Sequence, residues 1–274
     1  MKLLCLIVVG AVVRSPLSGT GRIRFGMNSS QGKERGVRLA RTFVVAAGLL
    51  LPGAGPVLAA EQVYVYAVMH PSYGRIGTRT DTVDRSADAM RVDSRLRIAV
   101  EVLGVVVYRQ KSDITEIMQG DRLVSLDSVT DRDAKHLEVH GKAEGDRFVV
   151  DATLGSSTGP ATTAPSDPWA LQRTGPRTLV YTSTGRIRDV QVSGGQDETV
   201  SLNGGPVSLR HFVVNGRTRQ DVWLDSKGIP VLFRSFESGT PIDFILEQAL
   251  GPGGADPLLP AKSIIEAPSA FRNK

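Results

Sequence analysis

Arg91-Val92-Asp93-Ser94-Arg95-Leu96-Arg97-Ile98-Ala99-Val100-Glu101-Val102 decides the fold. Val92, Leu96, Ile98, Val100 and Val102 fall on one face, and Arg91, Asp93, Arg95, Arg97 and Glu101 on the other. That is a period of two over a dozen residues, which a helix cannot match. At about 3.3 Å per residue such a strand reaches on the order of 40 Å. Gly104 then interrupts it as a bulge or bend. Val105–Tyr108, apolar at every position, reads as a stretch covered on both sides.

Working outward, strands are expected at Val63–Met69, Gly74–Val83, Ile114–Met118, Arg122–Ser128, His136–His140, Arg147–Ala152, Leu179–Thr182, Ile187–Val192, Glu198–Leu202, Val207–Val214, Arg217–Leu224, Pro230–Phe236 and Ile242–Leu246. Short polar turns separate them, and Asn215-Gly216 is the pair a type I′ hairpin turn demands. The expected fold is all-β: a long curved antiparallel sheet forming a half-barrel or open barrel, with few or no helices beyond the leader. Gly155–Arg177 departs from the pattern, with three Gly, four Pro and seven Ser or Thr in 23 residues. A loop of that length inside a compact domain is functional or disordered, and it carries Trp169. Residues 251–274 are Gly/Pro-rich and read as a poorly ordered tail with a turn at Leu258–Ile265.

The chain has 33 Lys and Arg against 28 Asp and Glu, a formal charge of +5. Eight of the bases and one acid lie in residues 1–60, so residues 61–274 carry 25 bases against 27 acids, a net of −2. The excess is a property of the leader, and no nucleic-acid partner is expected. Lys33, Arg35, Arg38 and Arg41 precede the apolar run Phe43–Leu51, Pro52-Gly53 break it, and Val57-Leu58-Ala59 suits a signal peptidase. Cleavage near Ala59-Ala60 places the protein in the periplasm or outside the cell. Met1–Val13 is a second apolar run, so translation from Met1 or from Met27 are both open. The domains are then a leader (1–60), one β domain (61–250) and the tail. Cys5 is the one cysteine, so the exported chain holds neither disulfide nor thiolate.

Chemistry-bearing residues are sparse. His136 and His140 on a strand stand about 13 Å apart, too far for one ion. Asp121, Asp127, Asp131 and Asp133 lack the glycine turn of a calcium loop. No Gly-x-Ser-x-Gly elbow is present. No metal, cofactor or catalytic residue is expected, and an enzyme would need a group such as His211 with a carboxylate at the mouth of a void. Arg91, Arg95 and Arg97 read as partners of acids on the polar face. Trp223 reads as core.

Several stretches carry a resemblance: the Gly74–Gly77 turn before Val83, Arg97–Arg109, Gly120–Ser128, Glu144-Gly145-Asp146, the Pro-flanked Trp169, and Asp221–Asp225 followed by Gly228. Over Val63–Leu246 they resemble domain-of-unknown-function family 6134, exported bacterial proteins with no assigned activity. The strand pattern is also similar to half-barrels of the lipoprotein-carrier type, in which a curved sheet wraps an apolar cavity. That resemblance implies a ligand site but assigns no residue.

A long amphipathic strand with few helices to cover it leaves the cover to the curling sheet, the 155–177 loop or a ligand. The apolar row Val92, Leu96, Ile98, Val100 and Tyr108, with Trp169 as packing anchor or lid, is therefore the expected binding site. Its ligand would be apolar or lipid-like. The alternative is an envelope structural or protein-interaction domain with a filled core.

Overall fold

A computed structural model describes residues 61–86, 88–202, 205–217 and 219–251, together with the backbone of Gly254 and Ala255. The leader, the bulk of the C-terminal tail and the expectations attached to them lie outside the described residues. The strands are β1 (Gln62–His70), β2 (Gly74–Arg85), β3 (Ala89–Val102), β4 (Val105–Gln119), β5 (Arg122–Arg132), β6 (Lys135–Glu144), β7 (Arg147–Ala152), β8 (Ser157–Pro160) and β9 (Ala164–Pro165). After a single 3-10 turn at Pro168–Ala170 come β10 (Gly175–Val180), β11 (Ile187–Leu202), β12 (Gly205–Asn215), β13 (Gln220–Leu224), β14 (Pro230–Glu237), β15 (Thr240–Gly251) and β16 (Gly254–Ala255).

All of them belong to one sheet, in the order β8-β7-β6-β5-β4-β3-β2-β1-β15-β14-β13-β12-β11-β10-β9, with β16 beside β15. Pairing is antiparallel except between β9 and β10. Among the described residues β1 lies mid-sheet against β15, and the two edges are β8 and β9. The sheet curls until these edges meet without a ladder. Ser157 Oγ donates to the Gly185 carbonyl at 2.7 Å. A Cβ on Gly185, whose φ is +70°, would stand 2.7 Å from Ala152 Cβ and 2.9 Å from Val150 Cγ1. A side chain there would hold the edges apart.

Three local expectations are corrected. Gly104 is not a bulge in a continuing strand: Leu103 and Gly104, at φ +54° and +80°, form a two-residue turn between Val102 and Val105, and the chain reverses into β4. Val105–Tyr108 is not covered on both sides, because it is the return limb at a hairpin tip, and Val105, Val106 and Val107 are exposed. Asn215-Gly216 does not make a type I′ turn, since neither residue has positive φ and pairing resumes only at Val214–Gln220. Gly216 serves close packing instead: a Cβ there would lie 2.9 Å from Val190 Cγ1.

The concave face holds most of the core, including Tyr64, Tyr66, Val68, Val83, Val92, Phe212, Val222, Phe233 and Phe244. Burying such side chains stabilises by about 1.5–3 kcal/mol each. The convex face is partly covered as well. A register shift between Gly194 and Gln196 changes which residues of β11 face inward, so Val200, Leu202 and Leu209 are buried on the face that carries His211 and Trp223.

Candidate functional site

The inner face of β2–β6 is a grid set by register. One row runs Val83, Val92, Glu116, Leu126, Gly141; the next Asp81, Ser94, Ile114, Ser128, Val139; the next Arg79, Leu96, Ser112, Thr130, Leu137. Beyond them lie Ile98 beside Gln110 and Val100 beside Tyr108, leading to the β3–β4 tip. The grid mixes apolar residues with small polar ones and three ionisable side chains. The alternation that identifies β3 as a strand says which residues share a face; it does not say that this face is polar in its middle.

The 155–177 segment enters the interior under β1 and β2. Asp167 caps the 3-10 turn, its Oδ1 accepting from the Trp169 backbone N–H at 3.1 Å, with Pro168 in the first position. Trp169 is 1 % exposed, packs against Tyr64 with ring centroids 4.9 Å apart, and donates its indole N–H to Asp81 Oδ2 at 2.9 Å. Arg79 ties the assembly together: Nε bonds Asp81 Oδ1 at 2.7 Å, and Nη2 bonds Ser94 Oγ at 2.9 Å and also Asp167 Oδ2. Burial alone would lower the Arg79 pKa, but Asp167 and Asp81 outweigh it and hold the guanidinium charged. Burial pushes the Asp167 carboxyl up against the pull of Arg79. The Asp167-Pro168-Trp169 run, a cap residue followed by Pro, was a readable signal for this insertion. Arg79 and Asp81, in step with Val83 on β2, were a signal for charges on the inner face.

Glu116 is 1 % exposed, and neither carboxylate oxygen has a hydrogen-bond partner. Val92 and Leu126 flank it across the sheet. Burial, followed by the nearby Asp167 carboxylate, pushes its pKa well above the ordinary range and so favours the protonated form.

Toward the hairpin tip the concave face changes character. Ser94, Ser112, Ser128 and Thr130 form a floor of small buried side chains, with Thr130 Oγ1 donating to Ser112 Oγ at 3.0 Å. Leu96, Ile114, Tyr108 and Leu137 stand around that floor and remain partly exposed. Of the sequence-derived site residues, Leu96, Ile98, Val100 and Tyr108 share this face toward the tip, Ile98 and Val100 buried and Leu96 and Tyr108 partly exposed. Val92 lies deeper, beside Glu116 and Val83. Trp169 is a packed anchor in the neighbouring half, not an exposed cap.

The remaining candidates lie elsewhere. His211 stacks on Trp223 with centroids 4.2 Å apart on the opposite face, with Nδ1 2.7 Å from Glu198 and Nε2 3.0 Å from Asp221. Burial would raise the Asp221 carboxyl, but hydrogen bonds from His211 and Arg219 hold it below its ordinary value. His136 bonds Asp131 and Glu138, and His140 bonds Asp127, all exposed. Asp121 pairs with Arg173, and Asp133 accepts from the Arg109 backbone N–H. Arg91 pairs with Asp93 and Arg97 with Asp113. Among the described residues no group of three or more His, Cys, Asp or Glu side chains is placed to hold a metal. Where the sheet edges approach, Gln119, Asp121, Arg122, Arg177, Thr178 and Asp189 line an open cleft of about 590 Å³, which includes none of the sequence-derived site residues.

A family model described as Domain of unknown function (DUF6134) matches residues 66–247. Among solved structures, the crystal structure of a beta-barrel-like protein of domain of unknown function DUF1849 from Brucella abortus is similar. Its TM-score is 0.53 at 14% identity, over 70% of this chain and 97% of that one. The likeness is one of fold. No curated protein matches.

Proposed function

The chain belongs to the DUF6134 family, and from that footing we propose that it is an exported, non-catalytic binding module of the cell envelope whose half-barrel takes an apolar or lipid-like ligand. The observation that carries the reading is the hollow: Leu96, Ile114, Tyr108 and Leu137 left partly exposed on a concave face, above a floor kept low by Ser94, Ser112, Ser128 and Thr130. Apolar side chains on an inner face are ordinarily covered, and these four keep part of their surface open. Arg79, whose Nη2 donates to Ser94 Oγ, ties the Asp81–Asp167–Trp169 group to that floor. Export is supported by the charged and apolar leader. A binding role over catalysis is supported by His211, both of whose ring nitrogens are already engaged by carboxylates.

The competing reading, a structural or protein-interaction domain with a filled core, draws on the burial of Trp169. Native mass spectrometry of protein purified from the envelope fraction, with solvent extraction of the same sample, separates the two. The binding reading expects an adduct of lipid mass that the extract also contains. A clean apo mass with an empty extract sinks it.

A further inference from the structure

The β3–β4 hairpin ends in an apolar tip. Leu103 is 99 % exposed, Val105 62 %, Val106 45 % and Val107 43 %. Leu103 also sits at φ +54°, in a turn position that favours Asn and disfavours a leucine. A fold needing only a tight reversal would place a small polar residue there, so this leucine is displayed against both hydration and backbone preference.

Behind the tip the stem carries bases. Residues 95–113 contain Arg95, Arg97, Arg109 and Lys111 against Glu101 and Asp113, and β5 adds Asp131, in register with Lys111, and Asp133, which accepts the Arg109 backbone N–H. Arg97 is taken by Asp113; among the described residues Arg95, Arg109 and Lys111 make no ion pair within 4 Å, though the charge of Arg95 acts on Asp93. The spacing fits a lipid surface. From Gly104 to Val107 the strand advances about 10 Å, the depth to which interfacial apolar segments bury. Tyr108, half-buried with its hydroxyl on Gln110, then falls at the boundary where aromatic rings settle. Arg109 and Lys111 follow at headgroup level, where each base gains from anionic lipid.

We infer that the β3–β4 tip docks the protein onto an anionic lipid surface, with Leu103, Val105, Val106 and Val107 entering the outer edge of the hydrocarbon and Arg109 and Lys111 meeting the phosphates. This site adjoins the hollow through Tyr108 and stands whether or not the hollow is occupied.

The test is sedimentation of the chain, as the cell processes it, with vesicles of phosphatidylcholine alone or with 30% phosphatidylglycerol. Wild type should bind the anionic vesicles at least tenfold more strongly than the neutral ones. L103N/V106T supplies the residue the turn prefers and a β-branched isostere, so it should fold with an unchanged or higher Tm and lose at least tenfold in binding. R109E/K111E should lose the preference for anionic vesicles. Equal binding by wild type and L103N/V106T would overturn the inference. So would failure to bind protein-free vesicles while native envelope membranes are still bound through the tip, which would make the partner a protein.

Discussion

The indole N–H of Trp169 donates to Asp81 Oδ2 at 2.9 Å, joining residues 88 positions apart in the sequence. The bond fixes a Pro-rich segment without long strands to the inner face of β2, and Asp81 has no exposure to water to replace it. Trp169→Phe keeps the ring and removes the donor. It should cost about 1–3 kcal/mol in urea unfolding, the usual penalty for a buried acceptor left unpaired. Trp169→Ala adds a cavity and should cost about 3–5 kcal/mol. A W169F midpoint equal to wild type would show that Asp81 does not depend on this bond.

Arg79 is the shared cation of Asp81 and Asp167. Arg79→Met leaves two buried carboxylates without a counter-ion and should destabilise by about 3–5 kcal/mol. Adding Asp167→Asn to R79M should recover part of the loss, because one uncompensated charge is then gone. Urea unfolding of the single and double variants checks this; a double variant less stable than R79M would contradict it.

Glu116 gives a pH prediction of the opposite sign to an ordinary salt-bridged acid. Its folded pKa is raised by burial, so the native state holds a proton that the unfolded state releases once pH exceeds the ordinary carboxylate value. Stability should therefore fall as pH rises through that window. Glu116→Met removes the unpartnered carboxyl at similar volume and should stabilise by about 1–3 kcal/mol at pH 7.5. The gain should be smaller at pH 4.5. Thermal melts at the two pH values are the measurement, and a gain larger at pH 4.5 would refute the assignment.

The histidines should titrate in a fixed order. Burial lowers His70, whose Nδ1 also accepts the Ser72 backbone N–H at 3.0 Å. Hydrogen bonds donated to Asp131 and Glu138 raise His136, and one donated to Asp127 raises His140. NMR of the imidazole nitrogens should show His70 losing its proton first as pH rises, and Asp131→Asn should move His136 back toward its ordinary value. His136 titrating below His70 would contradict these contacts.

Much of this architecture was legible in the sequence, since β3 carries apolar residues on one face from Val92 to Val102 with Ser94 the one break, and a strand so patterned turns that face to a core. The tip was misread for a local reason: Leu103-Gly104 lacks the Asn or Asp of a common type I′ turn, so a reversal looked like an interruption. Asn215-Gly216 misled in the other direction, because there the glycine is kept for its closeness to Val190 and not for its φ. The charged group at Arg79 and the lone acid at Glu116 were hidden for a different reason. Their partners or lack of them depend on β4 and on the Asp167 turn, which no local spacing brings together.

The central claim is that the inner face beside Leu96 holds a guest in the cell, and neighbouring residues of β3 offer the control. A benzophenone amino acid placed at Leu96 points into the hollow, and one at Arg95 points out of the sheet. After irradiation in living cells and intact-mass analysis, the account predicts a lipid-sized adduct at position 96 and none at position 95. Equal labelling at both positions, or none at 96, would contradict it.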